Sequence, residues 1–242
     1  MSIAENLALV EQQIETACRK AGRVRTDVRW MAVSKTQPAD RIVEAYAAGA
    51  RLFGENRVQE FAAKRDVLAA AGIVSGSDAA TVHCIGPLQT NKANRAAQIF
   101  DAVDSVDSLR VAECLQRAAS AAGKVLPILL EIKLSDEAAK HGLAPDGSEL
   151  AEVLERAPDW THLRVRGLMM VPPYFEDSEA ARPYFQRLRR LRDALAQRHP
   201  QLQFEELSMG MSHDYAVALA EGATCVRIGT AIFGARAAQP AP

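Results

Sequence analysis

Eight short, apolar and β-prone runs alternate with helical patterns along this chain, and their alternation constrains the fold more than any other feature. The runs cover residues 28–34, 51–54, 81–85, 102–106, 126–132, 165–171, 204–208 and 225–233. Strict alternation favours parallel strands, because a helix must return the chain to the starting edge before the next parallel strand begins. Eight such units predict a closed (β/α)8 TIM barrel, although a doubly wound open sheet would produce the same local pattern.

The length of 242 residues matches the usual size of such a barrel, and no linker divides the chain. No Gly-x-Gly-x-x-Gly motif follows the first run, which argues against an open dinucleotide-binding sheet. We therefore expect an α/β protein with a single domain over residues 1–242 and a barrel over about residues 28–234. Apolar residues three and four apart from Ile3 to Cys18 predict an extra N-terminal helix over about residues 2–22.

The charge and the residue types of the chain argue against several classes of function. A formal net charge of −1 gives no general attraction to nucleic acid or to an anionic membrane. The four cysteines and five histidines lack the spacing of zinc ligands, so no metal site is expected. The N-terminus has no targeting signal and no stretch could span a bilayer, which predicts a cytoplasmic protein. The predicted helix 180–198 is rich in arginine, which leaves RNA binding as an alternative. The outer helices of a barrel, however, ordinarily carry solvated charges.

Lys35 lies where the first predicted strand changes into a loop. A lysine in this place either extends its charged end into water or is a partly desolvated amine. Desolvation would lower its pKa and allow the neutral amine to attack a carbonyl group. Position alone favours the surface interpretation, so the choice depends on which other residues share the same end of the barrel.

Two loops late in the chain have the composition of a phosphate site. The first runs from Ser208 to Ser212 before a predicted helix, and the second contains Gly229 and Thr230. Barrels often bind phosphate with the loops that follow strands seven and eight, although each glycine alone could serve only a turn. Arg227 precedes the second loop on the same strand face as Gly229, where it needs either a ligand or a structural ion pair.

Six motifs in order along nearly the whole chain resemble one known family. They are residues 33–36 (VSKT), 53–56 (FGEN), 83–92 (HCIGPLQTNK), 167–173 (GLMMVPP), 207–212 (LSMGMS) and 226–234 (VRIGTAIFG). Together they resemble the YggS/PROSC family of pyridoxal 5′-phosphate (PLP) homeostasis proteins. The resemblance implies a fold-type III barrel similar to the N-terminal domain of alanine racemase. His213 departs from the acidic residue expected at that position of the family.

The resemblance also assigns roles to individual residues. Lys35 would hold PLP as an internal aldimine, Asn56 would line the cofactor ring and Arg227 would face the pyridine nitrogen. The phosphate ligands would be Ser208, Ser212, Gly229 and Thr230. Lys133 and Lys140, in the loop after the fifth strand, receive no role, and the tail 235–242 carries no motif.

An arginine at the pyridine nitrogen disfavours protonation of the ring, which makes PLP a weaker electron sink. We also expect no C-terminal β-domain, the part that supplies the second acid/base in alanine racemase. The resemblance therefore predicts no catalytic residue but a monomeric carrier that buffers PLP or delivers it to PLP-dependent apo-enzymes. The alternatives are a PLP-dependent amino-acid racemase or lyase of narrow range, and a Schiff-base aldolase that acts without PLP.

Overall fold

A computed structural model describes residues 1–135 and 141–234 of the chain. Eight parallel strands follow one another in sequence order, and the last pairs with the first to close a barrel. The strands are β1 (Arg29–Val33), β2 (Leu52–Glu55), β3 (Thr81–Cys84), β4 (Ala102–Val106), β5 (Leu126–Glu131), β6 (Leu163–Met169), β7 (Glu206–Met211) and β8 (Cys225–Ile228). The predicted (β/α)8 TIM barrel is confirmed, and the open sheet is wrong because β1 and β8 pair directly.

Helices surround the barrel and connect its strands. They are α1 (Ile3–Lys20), α2 (Ala39–Ala47), α3 (Val58–Ala70), α4 (Ala93–Ile99), α5 (Leu109–Ala121), α6 (Ser148–Arg156), α7 (Arg182–Arg198), α8 (Tyr215–Ala220) and α9 (Thr230–Phe233). Within the described residues, none of these helices has the length and apolarity that a bilayer crossing would need.

The extra N-terminal helix α1 begins with a reciprocal cap. The Ser2 side chain accepts a hydrogen bond from the Glu5 N–H, and the Glu5 carboxylate accepts one from the Ser2 N–H. This capping box satisfies two N–H groups that a helix start leaves without partners. One face of α1 is buried, as its apolar spacing predicts, and the helix packs against α8 and α9 beside the last strand.

The apolar core lies between the strands and the surrounding helices, whereas the barrel interior contains several polar pairs. Phe61 of α3 stacks on Phe100, with ring centroids 4.9 Å apart, in the outer layer. Inside, the His83 ring nitrogen Nδ1 lies 3.0 Å from the Asp104 carboxylate. Because buried polar groups are costly without partners, these pairs restrict how the inward side chains can be arranged.

The carboxyl ends of three strands differ from the sequence predictions by two or more residues. Strand β6 ends at Met169 instead of residue 171, and β7 continues to Met211, so most of the predicted loop 208–212 belongs to a strand. Residues 230–233 form the short helix α9 instead of the end of β8. Apolar composition predicts burial, but the end of a strand depends on backbone pairing with its neighbours, which composition does not report.

Gly210 in β7 allows α8 to pack closely against the strand. Its φ is +91°, and a Cβ at this position would lie 2.5 Å from Ala218 Cβ and 3.0 Å from Tyr215 Cα. Only glycine gives both the left-handed backbone and the space for α8 to pack against the strand.

At Gly167 in β6, the backbone of the neighbouring strand β7 occupies the space that a side chain would need. The φ of Gly167 is +155°, and a Cβ would contact the Glu206 carbonyl oxygen and lie 2.7 Å from the Glu206 carbonyl carbon. We expect Gly167→Ala to lower the free energy of unfolding by about 3 kcal/mol, because a rigid backbone must shift. Urea unfolding measures the change.

Gly22→Ala is the matched control. Gly22 also has a positive φ, of +66°, but among the described residues, apart from its two chain neighbours, none lies within 4 Å of the position that a Cβ would occupy there. Its replacement by alanine should lower the free energy of unfolding by only about 1 kcal/mol, because the left-handed backbone is then the sole source of strain. Equal losses in the two variants would contradict a steric role for Gly167.

Candidate functional site

The carboxyl ends of the strands form the mouth of the barrel, and Lys35 follows β1 at this mouth. Strand β1 pairs with β8 in a register that places Met31 beside Arg227 and Ala32 beside Ile228. A Cβ on Gly229 would lie 3.6 Å from Val33 Cβ, so the second predicted phosphate loop lies against the end of β1. Val33 thus lies beside this loop, and Lys35, which is half-buried, follows two residues later.

A hydrogen bond joins the two predicted phosphate loops. The Gly229 N–H donates to the Ser212 Oγ at 3.3 Å, which connects the residue after β7 with the residue after β8. Ser212 and Gly229 are partly exposed, and Thr230 is exposed at the start of α9. Hydroxyl and amide groups from both loops therefore lie together at one accessible part of the mouth.

Asp214 shapes the turn that follows β7. Its carboxylate accepts a hydrogen bond from the Met211 N–H at 2.6 Å, and the residue is buried. Burial raises the pKa of Asp214 above its ordinary value, although this hydrogen bond and nearby Arg227 oppose the shift. The turn that carries Ser212 is thus held from its inner side.

Arg227 and Ser208 lie deeper than the two loops. The Arg227 guanidinium donates to the Ser208 carbonyl and to its Oγ, each at 2.7 Å, and to the Met170 carbonyl at 2.7 Å. Burial lowers the pKa of Arg227, and the acidic groups of Asp104, Glu131 and Asp214 oppose that shift. Because an arginine keeps its charge inside proteins, the interior below the mouth holds a fixed cation. Ser208 is completely buried beside it.

Asn56 follows β2, the strand that pairs with β1 on the side away from β8. It is partly exposed and packs against Gly86, where a Cβ would lie 2.8 Å from Asn56 Cα. The Ser105 hydroxyl donates to the Gly86 carbonyl at 2.6 Å, which fixes the loop after β3. The structure therefore places Asn56 at the mouth, with its backbone position set by Gly86.

Two further lysines lie near the mouth without a role assigned from the sequence. Lys64 of α3 reaches the turn that contains Lys35 and binds Glu55 at the end of β2. Lys133 borders a cavity of about 170 Å³ that Glu131 and His141 also line. Lys140 and the tail 235–242 lie outside the described residues. The spacing from Glu60 to Lys64 predicts a helical pair, but no local pattern indicates that Lys64 contacts another loop.

Glu131 ends β5 and carries an unusual carboxyl group. Its Oε2 is buried without a hydrogen-bond partner among the residues that the structure describes. Burial and the negative charge of Asp107 raise the pKa of Glu131 to about 7, against the opposing charge of Arg227. This carboxyl group therefore changes its protonation near neutral pH at the edge of the mouth.

We expect Glu131→Gln to change how the stability of the ligand-free protein depends on pH. The unfolded carboxyl group loses its proton near pH 4.5 and the folded one near pH 7, so the wild type loses stability between these values. Glutamine has no such titration. From about pH 4 to about pH 8 the free energy of unfolding of the variant should therefore rise by about 3 kcal/mol relative to that of the wild type, measured by urea unfolding.

Glu152→Gln on the exposed face of α6 is the control, and its stability curve should parallel that of the wild type. A parallel curve for Glu131→Gln as well would show that Glu131 does not titrate in the folded protein near neutral pH.

Comparisons with known proteins agree with this geometry. The family described as "Alanine racemase, N-terminal domain" matches residues 6–237. The pyridoxal phosphate homeostasis protein of Aquifex aeolicus is 40% identical over 236 residues, which cover 98% of this chain and 99% of that protein. The protein of the same name from Pseudomonas aeruginosa is 43% identical over 236 residues, which cover 97% of this chain and 96% of that one.

Solved structures show the same architecture. PipY of Synechococcus elongatus, solved with PLP bound, is 39% identical and superposes with a TM-score of 0.84 over 96% of this chain and 100% of PipY. Alanine racemase from Streptomyces coelicolor is 22% identical with a TM-score of 0.66, covering 95% of this chain but 59% of the racemase, which shows the barrel fold alone. Identity near 40% along almost the full length shows that this chain belongs to the pyridoxal phosphate homeostasis protein family, built on the alanine racemase N-terminal domain.

Proposed function

We propose that this protein binds PLP covalently at Lys35 and serves as a PLP carrier in vitamin B6 homeostasis. One observation supports it above all others: the strand end that carries Lys35 lies against Gly229, whose N–H is bound to Ser212. An amine and a set of phosphate-type donors therefore share one mouth. The name of the relatives and the PLP bound to PipY support the same ligand and favour a carrier over a racemase.

The donor set at the mouth fits a phosphate ester. The hydroxyl groups of Ser212 and Thr230 and the amide of Gly229 lie on two adjoining loops, and such neutral donors suit a doubly charged phosphate. Ser208 is included in this proposal, although its hydroxyl is buried against Arg227. Asn56, after the neighbouring strand β2, would line the ring.

The chemistry of the site follows from what each side chain can do. When bound, PLP supplies an aldehyde that condenses with the Lys35 amine, with loss of water, and a pyridine ring that can accept electrons. The carbonyl and hydroxyl groups that hold Arg227 keep its charge in place, and a fixed cation disfavours a proton on a nitrogen that faces it. The residues thus hold the cofactor while limiting its power as an electron sink.

Several parts of the proposal reach beyond binding. We expect PLP-dependent apo-enzymes to receive the cofactor, and we expect the carrier to be a cytoplasmic monomer with one domain over residues 1–242. A narrow racemase or lyase activity is the alternative function. The PLP in PipY argues against the alternative of an aldolase that works without it.

Lys35→Ala tests the binding proposal. Wild-type protein mixed with PLP should develop visible absorption, and borohydride reduction should leave the cofactor attached to Lys35, as located by peptide mass spectrometry. The variant should show neither, because it lacks the amine that forms the bond. Lys133→Ala is the matched control, since it removes another lysine from the same mouth and should leave both signals intact. A wild type that remains colourless would contradict the proposal.

Solvent-deuterium exchange separates the carrier from the enzyme. For a carrier we expect the PLP-loaded protein to exchange the α-hydrogen of amino acids slowly and to accumulate no opposite enantiomer, because Arg227 limits the electron sink. Nuclear magnetic resonance follows the exchange, and chiral chromatography follows the enantiomers. Multiple turnovers with one amino acid would instead establish the racemase alternative.

A further inference from the structure

The turn that carries Lys35 has a backbone conformation that needs support. The Gln37 N–H donates to the Ser34 carbonyl at 3.0 Å, which closes a tight turn around Lys35 and Thr36. Thr36 has a φ of +64°, the only positive φ at a residue other than glycine in the described parts of the chain. A β-branched residue is strained in this left-handed region, so surrounding contacts must hold it there.

Lys64 of α3 supplies such contacts. Its Nζ donates to the Gln37 carbonyl at 3.1 Å and lies 3.4 Å from the Ser34 carbonyl, at the two ends of the turn. The same Nζ lies 2.8 Å from Glu55 Oε1 and 3.1 Å from Glu60 Oε1. Its side chain is 11% exposed. The ammonium group is thus bound to both ends of the turn and to two carboxylates.

Glu60 adds a direct bond to the strained residue. The Thr36 N–H donates to Glu60 Oε1 at 2.6 Å, and this is the oxygen that also accepts from Lys64. Lys64 and Glu60 are one helical turn apart on α3, so a single rigid helix positions both groups. We call Lys64, Glu60 and Glu55 the turn clamp.

Glu55 anchors the turn clamp to the barrel wall. It is completely buried, and its Oε1 accepts a hydrogen bond from the Ser34 hydroxyl at 2.7 Å as well as from Lys64. Burial raises the pKa of Glu55, while Lys64 and Ser34 stabilise the charged form. A simple buried ion pair would explain the Glu55 contact alone. It does not explain why Lys64 and Glu60 also bind three backbone groups of the Lys35 turn.

We propose that Lys64 and Glu60 are positioning residues that hold the turn 34–37 and so direct the Lys35 amine towards the aldehyde of PLP. This inference rests on the proposed function. The turn clamp lies on the side of α3 and β2, whereas the phosphate donors follow β7 and β8. Loss of the turn clamp should therefore weaken bond formation at Lys35 and leave phosphate binding unchanged.

Glu60→Ala and Glu60→Gln form a matched pair, because only glutamine keeps an oxygen that can accept from Thr36 and Lys64. The first measurement is the equilibrium constant for imine formation with pyridoxal, which lacks the phosphate, followed by visible absorption. The second is the inhibition of PLP binding by inorganic phosphate. We expect Glu60→Ala to weaken the reaction with pyridoxal about tenfold, Glu60→Gln to stay within about threefold of the wild type, and phosphate inhibition to be unchanged in both.

Lys64→Met tests the other half of the turn clamp, but it leaves Glu55 buried without its cation and lowers stability. The double variant Lys64→Met with Glu55→Gln removes that charge and keeps an acceptor for Ser34. If the turn clamp positions Lys35, the double variant should recover thermal stability yet still react about tenfold more weakly with pyridoxal. Lys20→Met, at the exposed end of α1, is the control.

The outcomes distinguish this inference from the proposed function. Wild-type protein that forms no imine with PLP would overturn the proposed function itself. Wild-type protein that reacts, together with variants that react equally well, would overturn only the turn clamp. Equal weakening of pyridoxal and phosphate binding would also overturn it, because that result indicates a general loosening of the mouth.

Discussion

The pairing of β1 with β8 is the contact on which the candidate site depends. It joins the first and last strands of the barrel, and its register sets the end of β1 beside Gly229. Residues separated by almost two hundred positions thereby become neighbours. Because both strands are parallel, the loops that follow them open at the same end, where Lys35 and the two predicted phosphate loops meet.

Buried charged side chains impose a second requirement, since each of them needs a hydrogen-bonding or charged partner. The Arg227 guanidinium must have acceptors because it is buried, and Ser208 in β7 and Met170 just after β6 supply them. The same demand applies on the outer side of β2, where Lys64 accompanies the buried Glu55. The two cations lie in different places. Arg227 lies below the mouth, whereas Lys64 binds the turn that contains Lys35.

The sequence predicted the residues of the mouth better than the elements that carry them. Lys35, Ser212 and Gly229 were recognised because residues after barrel strands converge and because six motifs occur in family order. Ser208 was expected in a loop but lies within β7, since backbone pairing extends that strand to Met211. Lys64 was missed entirely, because its contact with the turn depends on how α3 packs and leaves no local pattern.

The sequence by itself determined the eightfold alternation of strands and helices, which follows from apolar periodicity, and its short motifs indicated the residues that follow the strands. The pairing of β1 with β8 decided that these strands form a closed barrel and not an open sheet. The tertiary structure decided the strand ends, the burial of Ser208 beside Arg227 and the turn clamp around Lys35. The physical reason is that hydrogen bonds and desolvation between distant segments depend on packing geometry, which a linear pattern of residue types does not contain.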